Sequence, residues 1–136
     1  MNGTQVAQST QGEEKTPLIT LVRAVLWSRS GNRDAFLRIV GDGAILLRGH
    51  VDEKVVVTIL RRDGEPMVIF NGRISRFKSQ GHVYLVIHFP KRLIPMLPLI
   101  AKEADEDSTL MLQVVLTGVK KPTRRVDVKE EGRRGG

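Results

Sequence analysis

The chain has 136 residues, of which 40% are apolar and 27% charged, with 22 Lys and Arg against 15 Asp and Glu, a formal net charge of +7 and no cysteine. That length suits one domain with a single modest core. The missing cysteine excludes disulfides, thiolate nucleophiles and cysteine-based zinc sites, and His50, His82 and His88 lack metal-ligand spacing. With no signal-peptide pattern and no apolar run long enough to cross a bilayer, a soluble cytoplasmic protein without membrane partners is expected.

In chain order, residues 1–16 are polar with no apolar period and read as a flexible leader. Residues 17–119 form the expected single domain, in which short apolar runs are broken by Gly, Asp and Ser every eight to twelve residues, the spacing of antiparallel strands. Strands are expected at 18–28, 35–40, 44–48, 54–62, 67–78, 81–89 and 109–117. Asp63-Gly64 predicts a two-residue hairpin turn, because both residues tolerate positive φ. The segment 81–89 has the clearest period of two: Val83, Leu85, Ile87 and Phe89 share one face, and His82, Tyr84, Val86 and His88 the other. The exception is the stretch from Pro90, where a short helix is expected, interrupted by Pro95 and Pro98 because each removes a helical hydrogen bond. The fold class expected is mostly β: a small antiparallel β-barrel of six or seven strands with one short, proline-interrupted helix before the last strand. Residues 120–136 carry seven basic and three acidic residues and read as a basic flexible tail.

No catalytic constellation emerges, and neither an enzyme nor a cofactor nor a metal is expected. The acidic run 103–107 lacks the glycine and oxygen-ligand spacing of a calcium loop and reads as a solvated turn. Asp34 or Asp52 with His50 has no adjoining nucleophile. Gly41-Asp42-Gly43 lacks the lysine and helix of a phosphate loop.

The basic residues are the stronger signal, since a polyanion gains affinity from a basic surface by releasing condensed counterions. Arg61, Arg62, Arg73, Arg76, Lys78, Lys91 and Arg92 lie in one stretch opposed only by Asp63 and Glu65, and the tail adds Lys120, Lys121, Arg124 and Arg125. Regular strand geometry puts Arg73, Ser75 and Phe77 on one side and Arg76 and Lys78 on the other. Aromatic residues make up only 4% of the chain, so Phe77 and Tyr84 are expected to pack rather than stack on bases. Arginine outnumbers lysine, a composition that hints at a heat-adapted source.

The text from Phe70 to Leu116, in which Phe89-Pro90-Lys91-Arg92-Leu93 leads into a helix, an acidic turn and a closing strand at 110–116, resembles the swapped-hairpin domain of AbrB-type transcription regulators. The resemblance covers residues 70–116 and implies an obligate dimer of interleaved hairpins presenting basic side chains to duplex DNA. The order of GRISRF, VYLVIHFPKRLIPML and a last strand is also similar to the small β-barrel subunit of archaeal and eukaryotic RNA polymerases. The expected function is therefore non-enzymatic nucleic-acid binding, of DNA before RNA, in transcription or chromatin. The alternative is a structural small-barrel subunit of a multi-protein complex, or a homodimer, in contact through Ile94, Met96, Leu97, Leu99 and Ile100.

Overall fold

Apolar residues at alternate positions make the first strand, where Val22 and Ala24 are buried and Leu21 and Arg23 exposed. Alternation recurs in β6, while three strands bury runs of three consecutive residues, 35–37, 57–59 and 85–87, and burying the six apolar faces together closes the sheet on itself. The computed structural model describes residues 18–29 and 34–120. In chain order these form β1 (Leu18–Arg29), β2 (Asp34–Val40), α1 (Asp42–Leu46), a 3-10 turn (Arg48–His50), β3 (Glu53–Leu60), β4 (Pro66–Ser79) and β5 (His82–His88). A 3-10 segment (Lys91–Met96), α2 (Leu97–Ala101) and β6 (Thr109–Lys120) complete the domain.

The six strands form a closed antiparallel barrel in the order β1–β2–β5–β4–β3–β6. Closure is made by β1 against β6, in register from Leu18 opposite Leu116 to Val25 opposite Thr109. Closure pairs each of the six described strands on both sides, which removes the open edges that template pairing with another chain. Leu37, Val57, Ile59, Ile74, Ile87 and Leu112 fill the interior and are fully buried. No helix among the described residues is long and apolar enough to cross a membrane.

The expected strand at 44–48 is a helix and a 3-10 turn instead. Gly41, at φ +68°, turns the chain out of β2, and the buried residues that follow, Gly43 and Leu47, are four apart. A strand would bury Ile45 on the same face as these two, whereas a helix leaves it exposed, as it is here. Leu47 thereby plugs one mouth of the barrel, while Ile45 and Leu46 face outwards.

The 61–65 hairpin also differs from expectation. Arg61 N–H donates to the Glu65 carbonyl at 2.7 Å and Gly64 N–H to the Arg61 carbonyl at 2.8 Å, so Arg62, Asp63 and Gly64 make a three-residue loop. Only Gly64 among them takes positive φ, as a type I turn followed by a left-handed glycine requires. Asp63 instead accepts the Glu65 N–H on its side chain at 2.9 Å.

The proline-interrupted helix is as expected. Pro90, at φ −65° and ψ 144°, precedes the 3-10 segment, Pro95 lies inside it, and Pro98 falls in the first turn of α2, where a missing N–H costs nothing.

Candidate nucleic-acid interface

Strand direction sorts the cations. β1, β3 and β5 run one way and β2, β4 and β6 the other, so the 61–65 hairpin, the 91–101 segment and the 102–108 turn share one end of the barrel. At that end Arg61, Arg62, Lys91, Arg92 and Lys102 are matched by Asp63, Glu65, Glu103, Asp105, Glu106 and Asp107. Arg62 is engaged there: its N–H donates to Glu103 Oε1 at 3.0 Å and its guanidinium to the Ala104 carbonyl.

The opposite end gathers α1, the 48–52 turn, the β4–β5 turn and the last residues of β6. Among the described residues, Arg48, Lys54, Arg73, Arg76, Lys78 and Lys120 here face Asp42, Asp52 and Glu53. The Glu53 carboxylate is buried and spent locally, accepting Gly118 N–H on Oε2 at 2.7 Å and lying 2.7 Å from His50 Nδ1 on Oε1. The stretch that is densest in positive charge along the sequence is therefore divided in space. Arg73, Arg76 and Lys78 stay with the basic end, while Arg61, Arg62, Lys91 and Arg92 go to the acidic one. Lys120 closes β6 rather than opening a tail. Lys121, Arg124 and Arg125 lie outside the described residues.

A groove of about 560 Å³ crosses the outer wall near the basic end, with Lys54, Asn71, Arg73, Ser75, His88 and Thr117 on its polar lining. β4 places Asn71, Arg73 and Ser75 there by its period of two, and Lys54 sits opposite Arg73 in register. The Arg73 guanidinium is held by donation from Nη1 to the Asp52 carbonyl at 2.8 Å. Thr117 Oγ1 donates to the Lys54 carbonyl at 2.7 Å. With the Thr117 hydroxyl hydrogen spent in that bond, Lys54, Asn71, Arg73, Ser75 and His88 are the polar side chains with donors left along the groove.

A second cleft, of about 460 Å³, opens at the basic mouth between α1 and the β4–β5 hairpin. Ile39, Ala44, Ile45, Val51, Val83 and Leu85 line it, with Arg48, Arg76 and Tyr84. Arg76 and Lys78 also flank Val83 in an adjoining recess.

Of the six aromatic residues, Phe70 and Phe89 pack together inside, with ring centroids 5.6 Å apart. Trp27, Phe36, Phe77 and Tyr84 cluster on the outer wall instead, Trp27 meeting Phe36 at 5.2 Å and Tyr84 at 5.7 Å, both edge to face. Arg38 lies over the Trp27 ring at 4.8 Å and the Tyr84 ring at 5.1 Å. Phe77 and Tyr84 thus pack, as expected, but outside the barrel rather than in its core.

Sequence reasoning missed Arg38, Arg48 and Lys54, each a single cation outside any basic run. The alternation of 36–40 pairs Arg38 with the face of Phe36 and is a usable signal for that residue alone. The carboxylate beside His50 is Glu53, three residues on, and not Asp34 or Asp52.

The apolar patch expected at 94–100 is not formed. Leu97 and Ile100 are buried and Ile94 and Met96 pack against the core, leaving Leu99 as the exposed member, at 54%. The acidic run makes the expected turn, built around Asp105. Its carboxylate accepts Thr109 N–H at 3.0 Å, Thr109 Oγ1–H at 2.7 Å and Asp107 N–H at 2.9 Å. These bonds, those from Thr109 foremost, lower its pKa from 3.8 to about 2. No group of three His, Asp or Glu residues that could hold a metal occurs among the described residues.

Comparison of the chain with protein-family models, with curated proteins and with solved structures finds no match.

Proposed function

We propose that this protein is a non-enzymatic nucleic-acid-binding module that holds a phosphate backbone with the basic end of its barrel. The observation that carries the reading is the segregation of charge: among the described residues, six cations against three carboxylates at the end that bears both clefts, with one carboxylate already buried in a hydrogen-bonded pair. Arg48, Lys54, Arg73, Arg76, Lys78 and Lys120 are the contact residues, and Arg61, Arg62, Lys91 and Arg92 contribute little because neighbouring carboxylates neutralise their field.

The test is fluorescence anisotropy with duplex and single-stranded probes across a salt series. Each phosphate contact adds about 0.9 to the slope of log affinity against log salt on duplex and about 0.7 on single strands. Joint replacement of Arg48, Arg76 and Lys78 by alanine lowers the slope by about 2.7 on duplex and about 2.1 on single strands, whereas the same replacement of Arg61, Lys91 and Arg92 leaves it unchanged. Weak, salt-insensitive binding by the unaltered protein ends the proposal, as does an equal loss in both triple variants.

A scaffold role in a larger complex is the second reading. It is favoured by an uncharged row on the outer wall, where the exposed Leu21 and Ile69 flank Gln113 and Thr58 across β1, β6, β3 and β4. A protein that sediments as a clean monomer at high concentration and binds no apolar dye counts against it.

A further inference from the structure

We infer that the cleft at the basic mouth seats one unstacked nucleobase, with Arg48 and Arg76 on the flanking phosphates, so that single strands bind more tightly than duplex and with little preference between thymine and adenine. The inference rests on the nucleic-acid reading and specifies its substrate. The cleft's 460 Å³ falls within the range of small-ligand sites, about 300–1,000 Å³.

The lining chooses the ligand. Ile45 and Val83 are 61% and 55% exposed, large aliphatic groups left open to water at the most basic end of the molecule. A duplex turns phosphates and sugars outward and keeps its base faces stacked, so it satisfies Arg48 and Arg76 but covers neither apolar group. A single strand offers both surfaces, a charged backbone and an apolar base face.

Tyr84 borders the cleft, but its ring lies on the outer face of β5, edge to face against Trp27 and beneath the Arg38 guanidinium, and leaves Val83 and Leu85 as the apolar wall on that strand. The outer groove, with its polar row from Lys54 to Thr117, follows the backbone but offers no comparable apolar floor.

The lining also predicts what is not read. Bidentate recognition of adenine uses Asn or Gln, and cytosine uses Asp or Glu. None of these is among the residues of this cleft. Oligothymidylate and oligoadenylate therefore bind within about threefold of each other, as expected where stacking rather than edge contact dominates.

The experiment measures anisotropy of fluorescein-labelled oligothymidylate, oligoadenylate and a duplex of equal length, each about twelve nucleotides, with the full-length protein, Ile45→Ala/Val83→Ala and Tyr84→Ala. Thermal melting checks that each variant is folded, and the double variant changes exposed positions only. The unaltered protein prefers single strands by about tenfold, and the double variant loses most of that preference with its salt slope and duplex affinity unchanged. Equal binding of duplex and single strands, with the variants indistinguishable from the parent, overturns the inference and leaves the nucleic-acid reading standing. No binding to any of the three probes overturns both. If a labelled acidic peptide with a central leucine binds instead, and Ile45→Ala/Val83→Ala abolishes it, the cleft is a protein-docking site and both readings fall.

Discussion

Arg23 Nη1 donates to Asp105 Oδ2 at 2.7 Å, tying the outer face of β1 to the turn that leads into β6. The same guanidinium nitrogen reaches Thr109 Oγ1 at 3.1 Å, and the Thr109 and Asp107 donors hold the carboxyl near pKa 2 in the folded protein. A group whose folded pKa is depressed stabilises the fold above its unfolded pKa and loses that contribution as pH falls through the folded value. The window here runs from about 4 down to about 2. Asp105→Asn is expected to be less stable than the parent at neutral pH, the gap closing as pH falls through this window. Urea midpoints measured along a pH series check it, and a gap that stays constant to the acid limit contradicts it.

Glu53 is expected to be the most sensitive carboxylate. It is 4% exposed and serves both Gly118 N–H and His50, at the point where the β3–β6 register slips between Glu53 and Val55. Glu53→Ala removes the acceptor of Gly118 N–H and the partner of His50 from a buried position and costs about 1–3 kcal/mol. Glu53→Gln keeps an acceptor and loses less. Chemical denaturation of the two variants gives the order, and the reverse order would show that the Gly118 bond is not what Glu53 supplies.

Two glycines outside the barrel wall test how closely α1 is seated. A Cβ on Gly43 would lie 2.7 Å from Val22 Cβ and Cγ1, whereas one on Gly49 meets nothing within 4 Å. Gly43→Ala is expected to destabilise by about 1–3 kcal/mol through overpacking. Gly49→Ala is expected to stabilise by about 0.4–1 kcal/mol by restricting the unfolded chain. Melting temperatures moving in opposite directions support the seating of α1 on β1.

Leu97 and Leu99 lie two positions apart in α2 with opposite fates, one 4% and the other 54% exposed. Leu97→Ala is expected to cost about 2–5 kcal/mol, and Leu99→Ala to stay within about 0.5 kcal/mol of the parent. Equal losses at both positions would mean that α2 is seated differently on the barrel.

Legibility followed the range of the forces involved. The strands at 18–28, 35–40, 67–78, 81–89 and 109–117 could be read because short apolar runs bounded by turn residues are a local pattern. The 44–48 segment misled because its apolar run is too short to separate a period of two from a helical one, and the choice fell to Gly43 fitting against Val22, residues distant in sequence. Val83 illustrates the same limit. It shares the inward face with Leu85 and Ile87, yet it stands beyond the barrel mouth and is exposed.

The sequence by itself determined a basic, cysteine-free, mostly β chain with a proline-interrupted helix before its last strand, since charge, composition and period are properties of the chain read in order. Only the tertiary structure decided which cations act together. Barrel closure carries Arg61 and Arg92 to an end rich in carboxylates and brings Arg48, Lys54 and Lys120 beside Arg73 and Arg76. A charge field sums over distance in space, and antiparallel strands set that distance by direction and register rather than by position in the sequence.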